Sequence, residues 1–390
     1  MHQTNPIQMF RRNFSPLPVG EDGIVAYIHI GDIHMVDRSH QNFNDLLRIV
    51  RHINQTFTSG LNFVYLPGDI ADDGSRKAYS AVRACVDELT VPWCGIVGDH
   101  DVHEKSFANF REAIADSLYG SFEVGSLRLI RLNVFAEPRP DAFLLGDEQF
   151  VWLEGELQQA KKSAQTAVVL MHCYPSELKQ DALRLKALLR RFDVRLVDMG
   201  HTHYNEVSND GATLYAATRS TGQIEEGNAG YSLVTFDRGA VSWHFFEPQG
   251  GPVVVVTSPA DERLLTEANM EGVVEGRLRV RVCVWGQAPL LAVTADVHGK
   301  TFALEQKAGG HVWENPQSLL TLPEGVYNLT VTAEDAAHRR ATDTVRIVVG
   351  LNAYSKVDRQ DTDVDNPLKA WKERGLLGTR LGPNKNGRKW

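Results

Sequence analysis

At 390 residues the chain is longer than one hydrophobic core usually serves, and its 43% apolar and 23% charged content is that of an ordinary globular protein. A formal charge of −8 gives no general attraction for polyanions, which argues against a broad nucleic-acid binder but not against a phosphate ester held through metal ions. Four cysteines stand far apart with no Cys-x-x-Cys pair, so neither a disulfide framework nor a thiolate zinc site is expected, and the cytoplasm is the expected compartment.

Residues 1–20 carry Arg11 and Arg12 with no apolar run behind them, and read as an extension without a signal peptide or membrane span. Residues 24–30 then predict a buried strand that runs into Gly31-Asp32-Ile33-His34. A stripe of Phe43, Leu46, Leu47, Val50 and Ile53 predicts a helix over 42–57. The apolar run 63–66 ends in Pro67-Gly68-Asp69, and a helical pattern covers 75–89. Residues 93–97 lead to Gly98-Asp99-His100-Asp101, whereas the run 127–132 ends in Asn133. A helix over 146–161 shows Phe150, Leu153 and Leu157 on one face. The runs 168–171 and 194–199 end in His172 and in Gly200-His201-Thr202-His203. Beyond Asn205 the pattern changes to short strands at 212–217, 230–236 and 240–246. Residues 21–250 therefore predict an α/β unit that closes with antiparallel strands.

Gln249-Gly250-Gly251-Pro252 marks a boundary. Strand patterns at 277–284, 291–297, 325–333 and 342–349, with no convincing helix, predict an all-β, immunoglobulin-like sandwich over 251–350. The Gly-Gly-Pro link predicts few contacts across it, so residues 1–250 are expected to fold and work alone, with the sandwich left as a candidate surface for a second copy. Residues 351–390 form a basic tail. Asp358, Asp361, Asp363 and Asp365 precede Lys369, Lys372, Arg374, Arg380, Lys385, Arg388 and Lys389. It reads as a solvated extension with one short helix, although Trp371 and Trp390 leave docking open.

Ligands of open α/β sheets sit beyond the carboxyl ends of the strands, and the motifs above place three Asp and four His there. Asp32 and His34, two apart at a strand mouth, point to the same side and can share an ion. Asp69 has two oxygens with which to bridge a pair. Asp99, His172 and His201 complete a second ion, and His203 returns to the first. Mixed imidazole and carboxylate donors suit Zn2+, Fe2+/Fe3+ or Mn2+.

Asp-x-His, Gly-Asp-x-x-Asp, Gly-Asp-His-Asp, a lone His after a strand and Gly-His-x-His, in that order, resemble the blocks of the calcineurin-like metallophosphoesterases, in particular their cyclic-nucleotide-phosphodiesterase-like branch. The resemblance covers residues 21–248. It implies a four-layer α/β/β/α sandwich, two metal ions on Asp32, His34, Asp69, Asp99, His172, His201 and His203, and His100 as proton donor or anion-stabilising group. It also implies hydrolysis of a P–O ester in a small phosphate-ester substrate by attack of a metal-bridging hydroxide. Asp99 stands where the family usually has Asn; the added charge strengthens ion binding and weakens the pair as a Lewis acid.

Asp101 is the candidate to orient His100, and Asp72 to orient a ligand histidine. His103 and Tyr174 follow ligand-bearing loops and are candidate substrate contacts. His29, inside the first strand, reads as a core histidine, and Cys173 as a small buried side chain. A phosphomonoesterase acting on nucleotides or sugar phosphates remains an alternative. So does a non-catalytic binding scaffold, which the retention of every ligand position disfavours. No nucleic-acid-binding motif is present in the sequence.

Overall fold

The computed structural model describes residues 16–135, 143–307, 310–315, 320–354 and 366–378. Strand β1 (Val25–His29) leads into helix α1 (Gln41–Thr56), β2 (Phe63–Leu66) into α2 (Arg76–Val86), and β3 (Trp93–Gly95) into the short α3 (Ala108–Ala113). The hairpin of β4 (Gly120–Val124) and β5 (Leu127–Arg131) precedes α4 (Asp147–Lys162), β6 (Thr166–Leu170), α5 (Ala182–Arg191) and β7 (Leu196–Met199). Strands β8 (Glu206–Asn209), β9 (Leu214–Ala217), β10 (Tyr231–Asp237) and β11 (Ala240–Phe246) complete this part.

Two mixed sheets result. One has the order β11-β10-β1-β2-β3, parallel from β1 to β3 and antiparallel at β10 and β11. The other runs β4-β5-β6-β7-β9-β8, parallel from β5 to β9, with antiparallel strands at both edges. The strands read as continuous apolar runs because both faces of each are covered. In β1, Val25 and Tyr27 enter a core shared with Leu129, Val168 and Leu170 of the other sheet. Ala26 and Ile28 point the other way, into a core with Leu46, Ile49 and Val50 of α1. In β6 the same alternation sends Ala167 and Val169 towards Leu153 and Leu157 of α4. The layers are therefore helix, sheet, sheet, helix. Helix α2 starts at Ser75, whose hydroxyl accepts the Ala78 N–H at 3.3 Å.

The C-terminal part begins with β12 (Val253–Ser258). The strand predicted over 277–284 is broken at Arg279-Val280 into β13 (Arg277–Leu278) and β14 (Arg281–Trp285). Then follow β15 (Leu290–Val297), β16 (Lys300–Ala303), β17 (Glu305–Gln306), β18 (Val312–Glu314), β19 (Leu320–Thr321), β20 (Gly325–Asp335) and β21 (Arg340–Val349). Sheets β12-β14-β18-β17 and β16-β15-β20-β21 enclose a core of Val254, Val282, Val293, Val331 and Ile347, among others.

The expectation that few contacts cross the Gly-Gly-Pro link does not hold. Trp285 packs 5.1 Å from the Phe57 ring, and its indole N–H donates to the Ser59 carbonyl at 2.8 Å. Arg281 and Asp237, both buried, pair at 2.8 Å, and the Thr257 hydroxyl donates to the same carboxylate at 2.6 Å. Val253, Val255 and Cys283 join the core of the α/β part. The composition of a link reports its local backbone freedom, not what the flanking faces bury.

The tail differs as well. Asn366 accepts the Asn209 N–H and Leu368 donates to the Val207 carbonyl, which extends the second sheet at its β8 edge. Trp371 is buried beneath the Arg263 guanidinium, 3.4 Å from the ring centroid. Arg374 is fully buried, paired with Asp343 at 2.7 Å and donating to the Trp243 carbonyl at 3.0 Å. Residues 366–378 are thus docked; 1–15, the acidic run 358–365 and 380–390 lie outside the described residues. No helix among the described residues is long and apolar enough to cross a membrane.

These contacts give a direct expectation. Trp285→Ala should cost about 3–5 kcal/mol, and a chain ending at residue 250 should aggregate or melt well below the full chain. Size-exclusion chromatography and thermal melts check both; a monomeric fragment with the melting temperature of the full chain would show that the interface contributes nothing.

Candidate metal centre

The strand ends of both sheets meet at one point. Ligand atoms of Asp32, His34, Asp69 and His203 lie within 4.8 Å of one another, as do those of Asp69, Asp99, His172 and His201. All seven residues singled out in the sequence are brought together, in two groups that share Asp69. Its oxygens face apart: Oδ2 is 3.6 Å from His34 Nε2 and Oδ1 is 3.5 Å from His172 Nε2. Asp99 Oδ1 lies 3.0 Å from His172 Nε2 and 3.3 Å from His201 Nδ1. His34 Nε2 and His203 Nε2 face each other at 3.0 Å.

The backbone is bent to allow this. His34, Asp69, His201 and His203 all have positive φ, of 44°, 45°, 67° and 63°. Each such residue stores on the order of 1 kcal/mol of strain. Gly68, at φ 105°, stands where a Cβ would run into the His172 ring and the Gly98 backbone. A Cβ on Gly200 would collide with Asp32 Oδ1.

Three of the imidazoles have their outward nitrogen engaged. His172 Nδ1 donates to the Pro67 carbonyl at 2.8 Å, His34 Nδ1 is 3.4 Å from Asp72 Oδ1, and His201 Nε2 is 3.5 Å from Glu177 Oε1. Such partners fix which nitrogen presents its lone pair inward. The Asp72 carboxylate thus sits where the sequence placed it, whereas Glu177 was missed. Its one sequence signal is the Glu three residues after Tyr174, which accepts the Tyr174 N–H at 2.7 Å and so caps the Pro175–Glu177 turn. Phe143, 5.1 Å from the His201 ring, forms an apolar wall and was also missed.

His100 is 38% exposed at the side-chain level, open towards the cluster; its Nδ1 lies 2.8 Å from the Asp72 carbonyl and its Nε2 4.0 Å from Asp99 Oδ2. Asp101 does not orient it. That carboxylate is buried and accepts the Gly98, Ile70 and Ala71 N–H groups and the Tyr79 hydroxyl, so it braces two ligand loops. Tyr174 is also corrected: it is buried, with its hydroxyl 3.5 Å from Glu206, and faces the core. His103 lies on the exposed side of its loop with Nδ1 2.9 Å from the Asp73 carbonyl. His29 is a core residue, 2.6 Å from Asp198, and Cys173 is buried.

Charges at this point compete. Burial opposes ionisation of Asp69, but His172 and His34 outweigh it and hold the carboxyl at about 2. Burial, with the Asp69 charge adding, raises Asp32 to about 6. Burial also works against protonated His34, His172 and His201, yet the neighbouring carboxylates push all three above the ordinary 6.5. His203 is driven down to about 3 by burial and then by His34. Protons thus hold this Asp/His set together, and Asp32 Oδ1 is buried with no hydrogen-bond partner among the described residues. The donor set is suited to binding metal ions.

Residues 26–205 match the model of the calcineurin-like phosphoesterase family. The chain is 31% identical over 174 residues to a probable cyclic nucleotide phosphodiesterase of Synechococcus sp., spanning 41% of this chain and 65% of that one. It is 24% identical over 280 residues to the 3',5'-cyclic adenosine monophosphate phosphodiesterase CpdA of Escherichia coli K12, with 66% and 98% covered. Among solved structures, a dimetal phosphatase from Danio rerio aligns with a TM-score of 0.46 and 12% identity over 58% of this chain and 96% of that one.

Metal binding at this centre should displace the protons on His34, His172 and His201. Apparent affinity for Zn2+ or Mn2+ should therefore fall as pH drops through the raised imidazole pKa values, which lie above 6.5, and recover at higher pH. The slope should approach roughly tenfold per pH unit for each proton displaced. Calorimetric titration in two buffers of different ionisation enthalpy counts the protons; an affinity independent of pH would mean that the imidazoles are already neutral.

Proposed function

We propose that the domain is a dinuclear, metal-dependent phosphodiesterase acting on a small phosphate diester of the cyclic-nucleotide class. The observation that carries the dinuclear reading is Asp69, whose two oxygens face different imidazoles in two ligand groups. Asp32, His34, Asp69 and His203 would hold one ion, and Asp69, Asp99, His172 and His201 the other. Ions bound there supply a nucleophile at neutral pH and neutralise phosphoryl oxygens. The names of the relatives support the diester and cyclic-nucleotide parts of the reading.

The protein's own contribution is positional. His100, whose Nδ1 is oriented by the Asp72 carbonyl, keeps Nε2 free to give a proton to the leaving alkoxide or to hold a phosphoryl oxygen. The Phe143 wall excludes water from one side of the cluster and leaves a flat surface beside it. Asp101 keeps the loops of Asp69 and Asp99 in register through its accepted N–H groups. The immunoglobulin-like reading of the C-terminal part is supported by its strand order. Counting β12, β14, β15, β16, β17, β18, β20 and β21 as eight, the two sheets run 1-2-6-5 and 4-3-7-8. A cytoplasmic setting accords with four cysteines that are all free and buried.

Reconstitution with Mn2+, Fe2+ and Zn2+ in turn, followed by assay on cyclic nucleotides, bis(p-nitrophenyl) phosphate and p-nitrophenyl phosphate, tests the reading. Turnover should favour diesters and accompany two ions per chain, and Asp69→Asn should lose both ions and turnover together. A preference for the monoester would replace the diester reading with a phosphomonoesterase.

His100→Ala should retain the ions, since His100 lies outside the two groups that share Asp69 and clusters instead with His34 and Asp72. Turnover should fall by about 10²–10⁴ on an alkoxide leaving group and by much less on nitrophenolate. An equal loss on both would assign His100 to phosphate positioning instead of proton transfer.

A further inference from the structure

Away from the metal centre, the turn between β10 and β11 and the strand pieces β13 and β14 border a cleft of about 800 Å³. The turn residue Arg238 lies beyond the pair Val25↔Phe236, next to the start of β1, whereas Asp32 follows the end of β1. The length of β1, about 16 Å, therefore separates the two regions, and one small ester cannot reach both.

The lining has a sequence logic that the metal centre does not use. In Arg277-Leu278-Arg279-Val280-Arg281, Leu278 and Val280 are buried in the sandwich core, and all five residues border the cleft, three of them arginines. Arg281 forms the floor, fixed by Asp237 at 2.8 Å, Glu314 at 2.9 Å and the Asp22 carbonyl at 2.8 Å. Arg277, Arg279 and Arg238 are exposed and make no ion pair with another described residue. Lys307 lies on the rim, 4.0 Å from Glu314. With Glu275 and Glu314 the only carboxylates among the described lining residues, these residues carry a local excess of positive charge on a chain of net charge −8.

Arg238 adds a separate observation. It sits at φ 50° and is followed by Gly239 at φ 82°, the two left-handed positions of a tight hairpin turn. Asn, Asp or Gly fills the first of these with least strain. An arginine there is unfavourable for the turn, and what it adds is a guanidinium at the mouth of the cleft.

A concave site of this volume fits a small molecule better than a duplex or a flat protein surface. Forked guanidinium groups bind phosphate oxygens in pairs. We propose that this cleft is a second binding site, for a small ligand of the di- or triphosphate class. The proposal stands apart from the diesterase reading, since none of its residues belongs to the metal centre.

The test is calorimetric titration of the full-length, metal-free protein with inorganic tripolyphosphate, with pyrophosphate and orthophosphate as parallel arms. One saturable site per chain is expected, with affinity falling from tri- to di- to monophosphate and weakening with salt. R277A/R279A should reduce affinity by at least about tenfold and leave turnover of the metal-loaded enzyme on a small activated ester unchanged. Arg238→Gly should also weaken binding while holding or raising the melting temperature, because it relieves the turn; a purely structural arginine would not separate the two readouts. Absence of saturable binding, affinity untouched by these substitutions, or binding lost in Asp69→Asn instead would overturn the proposal. So would a preference for long polyphosphate or single-stranded DNA over tripolyphosphate, which would make the cleft part of an extended polyanion groove.

Discussion

Three carboxylates and four imidazoles held within a few ångströms, largely out of water, are the constraint to which the rest of the α/β part answers. Like charges at that spacing repel strongly in a medium of low dielectric, and an ionised carboxylate stripped of water is costly. Without ions the set is balanced by shared protons, which is why Asp32 is pushed up while Asp69 is held low. Divalent ions would replace those protons as the balancing charge. The site is therefore a place where folding energy from elsewhere is spent, and the buried apolar faces of two sheets and their covering helices supply it.

Positioning rather than propensity decides how that energy is used. Parallel strands deliver their carboxyl ends to one edge of each sheet, and facing the two sheets brings those edges to the same point. Short loops must then turn sharply enough to aim a side chain back at the neighbouring strand end. The left-handed backbone at His34, Asp69, His201 and His203 is the result. The glycines before Asp69 and His201 leave the room in which those turns are made. Asp101 shows the same economy: a carboxylate inside a ligand motif spends its acceptor capacity on backbone N–H groups and the Tyr79 hydroxyl, and rigidity is what it contributes.

The C-terminal part is coupled to this arrangement more closely than a linked module would be. Arg281 with Asp237, and Arg374 with Asp343, are buried ion pairs that join elements far apart in sequence. The docked tail reaches further, since Asn205, two residues past His203, donates from its side chain to the Gly375 carbonyl and accepts the Arg219 N–H. The loop that follows Arg219 holds Asp32 from behind, through Ser220 and Gly222 to the Asp32 carbonyl. A continuous chain of contacts thus runs from the tail to the metal centre.

Much of this was legible in the residues alone. Apolar runs and 3.6-residue stripes located β1, β2, α1 and α4 to within a residue or two, because both patterns follow directly from what each face must bury. The seven ligand positions were legible for a different reason: each lies within a few residues of a strand end, so strand order alone brings them together. What depends on partners distant in sequence was not legible. That Asp101 braces loops, that Tyr174 turns inward, that Glu177 and Phe143 flank His201, and that Trp371 is buried are consequences of which surfaces meet. The Gly-Gly-Pro link likewise describes a bend in the chain, while the burial of Trp285 against Phe57 is settled only when the two folded parts are in place. Local sequence fixes periodicity and turn chemistry, which act over a few residues; burial and the partner of each polar atom are properties of the packed whole, and only the tertiary structure decides them.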